Sequence, residues 1–257
     1  MKEQLTVVKV GGKIVESEAS LAALLDAFTA LPGHKLLVHG GGRTATDVAA
    51  RLGVETVMVG GRRVTDAAML RVVTMVYGGL VNKQVVARLQ GRGVNALGLT
   101  GADMDVVRSR RRPVREVDYG FVGDVERVDA GRLAGLLRSG VTPVMAPLTH
   151  DGRGSLLNTN ADTIAGEVAK ALAGEFRTTL VYCFEHAGVL SDPDREDSVI
   201  PRIDRQAFAR LVAEGTVAGG MLPKLENCLA AVEAGVARVV ITRADALAAG
   251  GGTEIVP

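Results

Sequence analysis

Short apolar runs rich in Val and Leu recur along the chain, and most are followed by longer stretches with apolar residues at helical spacing. Residues 5–10 predict a buried strand, 17–30 a helix with Ser17 at its N-cap, 35–39 a second strand, and 43–52 a helix that follows a glycine triplet. Gly60-Gly61 separates 56–59 from 62–65 and predicts a hairpin, because paired glycines supply the positive φ values of a tight two-residue turn. Asp66 then caps a long helix reaching about residue 90. A strand is expected at 94–99, with turn-rich hairpins through about residue 129. The alternation resumes with helices at 129–138, 161–172, 205–213 and 222–234, interleaved with strands at 143–146, 179–184 and 238–242.

Strands separated by helices predict an α/β fold, an open and mainly parallel sheet sandwiched between helices, with the antiparallel hairpin added to it. The softest lobe boundary lies at 174–178, which divides the chain into an N-terminal lobe, 1–175, and a C-terminal lobe, 176–257. A hydrophobic content of 47 % in 257 residues supports a sizeable core, and with no Trp that core is aliphatic.

Charge narrows the partners. With 30 Lys and Arg against 29 Asp and Glu, the net charge of +1 argues against nucleic acid or a membrane surface and for small molecules. The basic run 108–115 has no interleaved aromatic residue and is followed by Glu116 and Asp118, so it reads as a solvated loop or hairpin. Cys183 and Cys228 have neither metal-ligand nor disulfide-framework spacing, which fits a reducing cytoplasm. No signal peptide or membrane-spanning apolar run is evident, and the four histidines, without paired-ligand spacing, read as structural.

Glycine carries the chemistry. Gly11-Gly12, Gly40-Gly41-Gly42, Gly60-Gly61 and Gly219-Gly220 suit the approach of a phosphate to bare backbone N–H groups. The usual nucleotide signatures are absent: there is no GxxxxGK[ST], and the glycines at 91–93 follow a helix and lead into a strand, the reverse of the dinucleotide context. What is present is a strand ending Lys9-Val10-Gly11-Gly12 and another ending His39-Gly40-Gly41-Gly42 before a helix. In a parallel sheet both converge at the carboxyl edge, where ligands bind. Arg62 and Arg63 stand at the hairpin foot, where an arginine fork can grip a carboxylate. Asn158, Asn160 and Asp162 begin one helix and Lys224 lies in the first turn of another.

In this order, KVGGK, HGGG, GRRVTD, NTNAD and GGMLPKLENC resemble the amino acid kinase family, and within it the acylglutamate branch, over about residues 5–242. The resemblance implies ATP-dependent phosphorylation of the γ-carboxylate of N-acetyl-L-glutamate in arginine biosynthesis, with the acyl substrate in the N-terminal lobe and ATP in the C-terminal lobe. It implies that Lys9 and Lys224 straddle the transferring phosphoryl group, with Asp162 holding both ammonium groups. Gly11 and Gly12 with Lys9 and Lys224 would bind ATP, and Gly41, Gly42, Arg63 and Asn158 the acyl substrate. Mg²⁺ would bridge the nucleotide phosphates without a dedicated protein cage. Because water destroys an acyl phosphate, the hairpin at 57–65 is expected to act as a lid.

The chain departs from many relatives at Arg43, which stands where they carry proline after the HGGG turn. A guanidinium near the acyl end would favour N-succinyl-L-glutamate as an alternative substrate. Arginine-inhibited relatives resemble hexamers joined by an additional N-terminal helix; with its first strand at 5–10, this chain is expected to form a homodimer insensitive to arginine. A reading of another class is a non-catalytic amino-acid or nucleotide sensor, against which both lysines and Asp162 argue.

Overall fold

The computed structural model describes residues 2–192, 194–217, 221–247 and 250–257, so Gly219-Gly220 lies outside the described residues. In chain order the elements begin β1 (Gln4–Val10), α1 (Gly12–Glu16), α2 (Glu18–Ala30), β2 (His34–His39), α3 (Gly42–Arg51), β3 (Met58–Val59) and β4 (Arg62–Arg63). The long helix follows as α4 (Ala67–Val73), a π-helical stretch (Thr74–Val81) and α5 (Asn82–Gln90). Then come β5 (Ala96–Leu99), β6 (Val107–Arg111), β7 (Gly123–Val128), α6 (Ala130–Arg138), β8 (Thr142–Met145), β9 (Leu148–His150), β10 (Leu156–Asn158) and α7 (Ala161–Leu172). The chain closes with β11 (Arg177–Phe184), β12 (Arg202–Ile203), α8 (Arg205–Ala213), α9 (Met221–Glu233), β13 (Arg238–Arg243) and β14 (Thr253–Ile255).

The central sheet runs β12-β14-β13-β11-β1-β2-β8-β5, and every neighbouring pair is parallel except β13 with β14. Alternation along β1 splits its side chains between two layers. Leu5 and Val7 pack in the layer that contains α7 residues Ile164, Ala165 and Val168. Val8 and Val10 pack against Leu24, Leu25 and Phe28 of α2 and Val85 and Leu89 of α5. By the same alternation Lys9 emerges on the α7 side. Helices therefore cover both faces, as the strand–helix rhythm predicts.

The structure adds elements that local pattern does not reveal. The expected hairpin forms where β6 and β7 pair antiparallel, and β9, parallel to β6, and β10, antiparallel to β9, extend it into a four-stranded sheet, β10-β9-β6-β7. In the Gly60-Gly61 hairpin Met58 pairs with Arg63 and Val59 with Arg62 around Gly60 and Gly61 at φ 54° and 73°, and the Val64 N–H donates to the Val57 carbonyl at 2.9 Å. Thr65 bridges to Gly120 instead, and its N–H donates to the Tyr119 carbonyl at 2.9 Å. The sheet is continuous across 174–178, because β11 pairs directly with β1.

Candidate active site

Parallel register aligns the carboxyl ends of three central strands. Lys9 is level with Val38 and Tyr182, and Val10 with His39 and Cys183. Lys9 is 7 % exposed, and its ammonium meets Asp162 Oδ1 at 2.7 Å. That oxygen is buried and the contact lies outside hydrogen-bond geometry, so it is an ion pair. Asp162 occupies the first turn of α7, where the helix dipole also favours an anion. Asn160 caps that turn by accepting from the Thr163 N–H at 3.1 Å.

Lys224, in the first turn of α9, holds its ammonium 3.8 Å from the centroid of the Phe184 ring, and the Lys9 ammonium stands 5.0 Å from the same centroid. Phe184 stacks on Tyr182 with ring centroids 6.1 Å apart, and the Tyr182 hydroxyl donates to the Asp162 backbone carbonyl at 3.2 Å. Burial lowers the Lys224 pKa, the Asp162 charge opposes that shift, and the Lys9 charge reinforces it. The expectation that Asp162 grips both ammonium groups is met only on one side. Asp162 pairs with Lys9, whereas among the described residues no carboxylate lies within 4.0 Å of the Lys224 nitrogen. Phe184, which sequence reasoning did not single out, takes that place.

The two glycine turns pack backbone against backbone. A Cβ on Gly12 would stand 3.5 Å from the Gly41 nitrogen and 3.6 Å from that of Gly42, so these N–H groups share one small region. Gly12 and Gly42 begin α1 and α3, where N–H groups have no intrahelical acceptor. Gly11 requires a correction: its N–H already donates to the Cys183 carbonyl at 3.3 Å, so it ties β1 to β11 rather than facing a ligand. Gly41 adopts φ +152°, and a Cβ there would lie 3.2 Å from Tyr77 Cδ1 and 3.3 Å from Val81 Cγ2.

A cleft of about 210 Å³ opens beside Gly40, Gly41 and Gly42 and is also lined by Arg62, Arg63, Tyr77 and Asn158. Arg63 is 8 % exposed; its Nη2 donates to the Gly42 carbonyl at 2.8 Å and to Thr46 Oγ1 at 2.9 Å, and its Nη1 to Thr56 Oγ1 at 3.3 Å. No carboxylate lies within 4.0 Å of it among the described residues. Such a charge is costly to bury unless a ligand anion completes it. A two-pronged grip requires that anion to displace the threonine hydroxyls. Asn158 is oriented at one remove: its Nδ2 donates to Thr65 Oγ1 at 3.0 Å, and Thr65 donates to the Arg63 carbonyl at 3.0 Å.

Arg43 is a second correction. It lines a separate cavity with Glu16, Asp47 and Arg88, not the cleft, because the first turn of α3 carries it to the outer side. The cation that does line the cleft beside Arg63 is Arg62. Among the described residues no His, Cys, Asp and Glu side chains group into a metal-binding set, and no helix is long and apolar enough to cross a membrane.

Residues 4–243 match the amino acid kinase family. The chain belongs to that family. An acetylglutamate kinase of Bacteroides thetaiotaomicron is 67 % identical to this amino acid kinase over 255 residues, covering 99 % of each chain. A crystal structure of a Streptococcus mutans UA159 protein superposes with a TM-score of 0.81 at 26 % identity, covering 98 % of each chain. A carbamate kinase of Giardia lamblia bound to AMP-PNP shares the fold, with a TM-score of 0.72 at 13 % identity over 99 % of this chain and 98 % of its own.

Proposed function

We propose that this amino acid kinase transfers the γ-phosphoryl group of ATP to the γ-carboxylate of N-acetyl-L-glutamate, forming N-acetyl-L-glutamyl 5-phosphate for arginine biosynthesis. The carrying observation is Arg63, buried with no carboxylate within 4.0 Å among the described residues, in a cleft also lined by Gly41 and Gly42. The name of the Bacteroides thetaiotaomicron relative supports the substrate.

The γ-carboxylate is ionised near pH 7 and needs no general base. One of its oxygens forms a bond to the γ-phosphorus as the bond from that phosphorus to the β–γ bridging oxygen breaks, and the electron pair leaves with ADP. Charge repulsion is the barrier: two unit charges about 4 Å apart repel by about 4 kcal/mol at an effective dielectric near 20. Lys9 and Lys224 neutralise the phosphoryl oxygens from two elements of the fold, while Asp162 fixes Lys9. Gly12 offers its N–H to the phosphates, and Gly41 and Gly42 offer theirs to the attacking carboxylate. Arg63 and Asn158 hold the α-carboxylate and acyl amide. A magnesium ion brought with the nucleotide would offset phosphate charge beside Lys9 and Lys224. The hairpin of β3 and β4 supplies Met58, Gly61, Arg62 and Arg63 to the cleft and serves as the lid. The acyl substrate then belongs to the part of the fold before 176 and ATP to the part after it.

A homodimer fits the exposed Met75 and Leu80 on the long helix and the exposed Leu97 on edge strand β5. Two buried free thiols, Cys183 and Cys228, fit a cytoplasmic setting.

Coupled detection of ADP release with N-acetylglutamate, N-succinylglutamate, aspartate and glutamate tests the function. Turnover with the acylglutamates alone is expected; release with none of them returns the protein to a sensor. N-Succinyl-L-glutamate is the second reading, favoured by Arg62, which lines the cleft with no carboxylate within 4.0 Å among the described residues. If it is correct, Arg62→Ala reduces kcat/KM for the succinyl substrate and spares the acetyl one; equal effects on both remove it.

A further inference from the structure

His39 is fully buried at the end of β2 and takes no direct part in the chemistry above. Its Nδ1 lies 2.7 Å from the Gly40 carbonyl, and its Nε2 3.1 Å from Asn82 Nδ2. A carbonyl can only accept, so Nδ1 carries the hydrogen. Asn82 is 1 % exposed; its Nδ2 also donates to the Val144 carbonyl at 2.9 Å, while its Oδ1 accepts from Lys83 Nζ at 3.2 Å. With the amide oriented by those bonds, its second N–H faces Nε2, which is therefore the bare nitrogen. The tautomer is set from behind by a residue on a different helix.

The bond to Gly40 has a consequence on the far side of the peptide. The carbonyl of Gly40 and the N–H of Gly41 belong to one planar trans unit and point in opposite directions. Holding the oxygen toward the His39 ring aims the Gly41 N–H away from it, toward the gap shared with Gly12. Glycine at φ +152° has little intrinsic preference for that orientation. The π-helical stretch supports the same peptide from another side, since Tyr77 and Val81 close the space where a Gly41 side chain would stand and Asn82 is the next residue.

We propose that His39, locked in its Nδ1–H tautomer by Asn82, is a positioning residue that fixes the Gly40–Gly41 peptide plane so that the Gly41 N–H meets the reacting carboxylate. Donation to the Gly40 oxygen also polarises the peptide and strengthens its N–H as a donor. The inference rests on the phosphoryl-transfer reading for its effect on rate, but the tautomer and the peptide orientation are properties of the free protein. Burial, opposed by the bond to Gly40 and aided by the Lys83 charge, lowers the His39 pKa to about 4, which keeps the ring neutral at working pH.

Three substitutions separate positioning from filling. An Asn amide reaches the place of Nδ1, a Gln amide reaches the place of Nε2, and Leu fills space without donating. His39→Leu and His39→Gln are expected to lower kcat roughly 10- to 100-fold, on the scale of a misaligned transition-state donor, with KM values changed less than about threefold. His39→Asn is expected to recover most of the loss. Activity of His39→Leu equal to wild type, or rescue by Gln rather than Asn, overturns the proposal. Should these variants fail to fold, ¹⁵N NMR of the wild-type His39 ring decides: a neutral Nδ1–H form at pH 7 supports the lock, and an Nε2–H form or an imidazolium overturns it. If wild type releases no ADP, the functional reading fails, while the ring measurement still decides the tautomer.

Discussion

Arg63 donates to the Gly42 carbonyl at 2.8 Å, so the side chain assigned to the α-carboxylate also braces the turn assigned to the γ-carboxylate. On the proposed assignment, one connected piece of structure reads both ends of the substrate. A lysine has a single nitrogen and cannot reproduce this spread of donors. Arg63→Lys is expected to raise KM for the acylglutamate at least about tenfold and to lower kcat as well. Steady-state kinetics check both, and a change in KM alone would show that the brace is dispensable.

Lys224 is half-buried and lacks a carboxylate partner among the described residues, so its removal breaks no ion pair. Lys224→Ala is expected to lower kcat about 100-fold or more, the scale of losing one transition-state donor, with the thermal midpoint nearly unchanged. Parallel activity and melting measurements test this.

Asp162→Asn leaves the buried Lys9 ammonium without its counter-charge. Loss of one partner of a buried pair costs about 3–5 kcal/mol, so this variant, unlike Lys224→Ala, is expected to lose both stability and activity. Urea unfolding gives the stability change directly.

Two glycine replacements should differ in sign. Gly41→Ala forces a side chain into φ +152° and against Tyr77 at 3.2 Å, and is expected to destabilise the fold and abolish turnover. Gly135 in α6 has open space around the missing Cβ, and Gly135→Ala is expected to stabilise by about 0.5–1 kcal/mol with activity intact. Denaturant midpoints distinguish them.

His39 gives stability a pH dependence of definite sign. Its folded pKa, about 4, lies below the ordinary histidine value of 6.5, so between those values the unfolded chain binds the proton more readily than the folded one. Stability therefore falls as pH drops through that window, by about 3 kcal/mol from this group, and rises again on return to neutrality. Urea unfolding of wild type and His39→Asn from pH 7 to pH 4 isolates the contribution: the histidine-specific difference should shrink toward pH 4.

Most regular elements are legible in the sequence because their signals are local, and the same short motifs bring the candidate site residues to notice. Val-rich runs, Ser17, Asp66 and Asn160 at helix starts and the Gly60-Gly61 turn each act within a few residues. The pairs 148–150 with 156–158 and 202–203 with 253–255 were not legible, since strands this short carry too little periodicity and exist only through partners distant in sequence. In sequence Phe184 is an ordinary end of a strand; only the fold brings the Lys9 and Lys224 ammonium groups to its ring. Arg43 misled because adjacency to the glycines in sequence does not survive the first turn of α3, where side chains diverge around the axis.

By itself the sequence determined the alternation of strand and helix, the glycine turns at the strand ends and the candidate side chains for the chemistry, because backbone preference and side-chain chemistry belong to each short segment. Tertiary structure decided which N–H groups stay available, that the Asp162 carboxylate meets the Lys9 ammonium, and that His39 faces the Gly40 carbonyl. Those outcomes depend on strand register and on helices arriving from elsewhere in the chain, and no segment contains the distances that settle them.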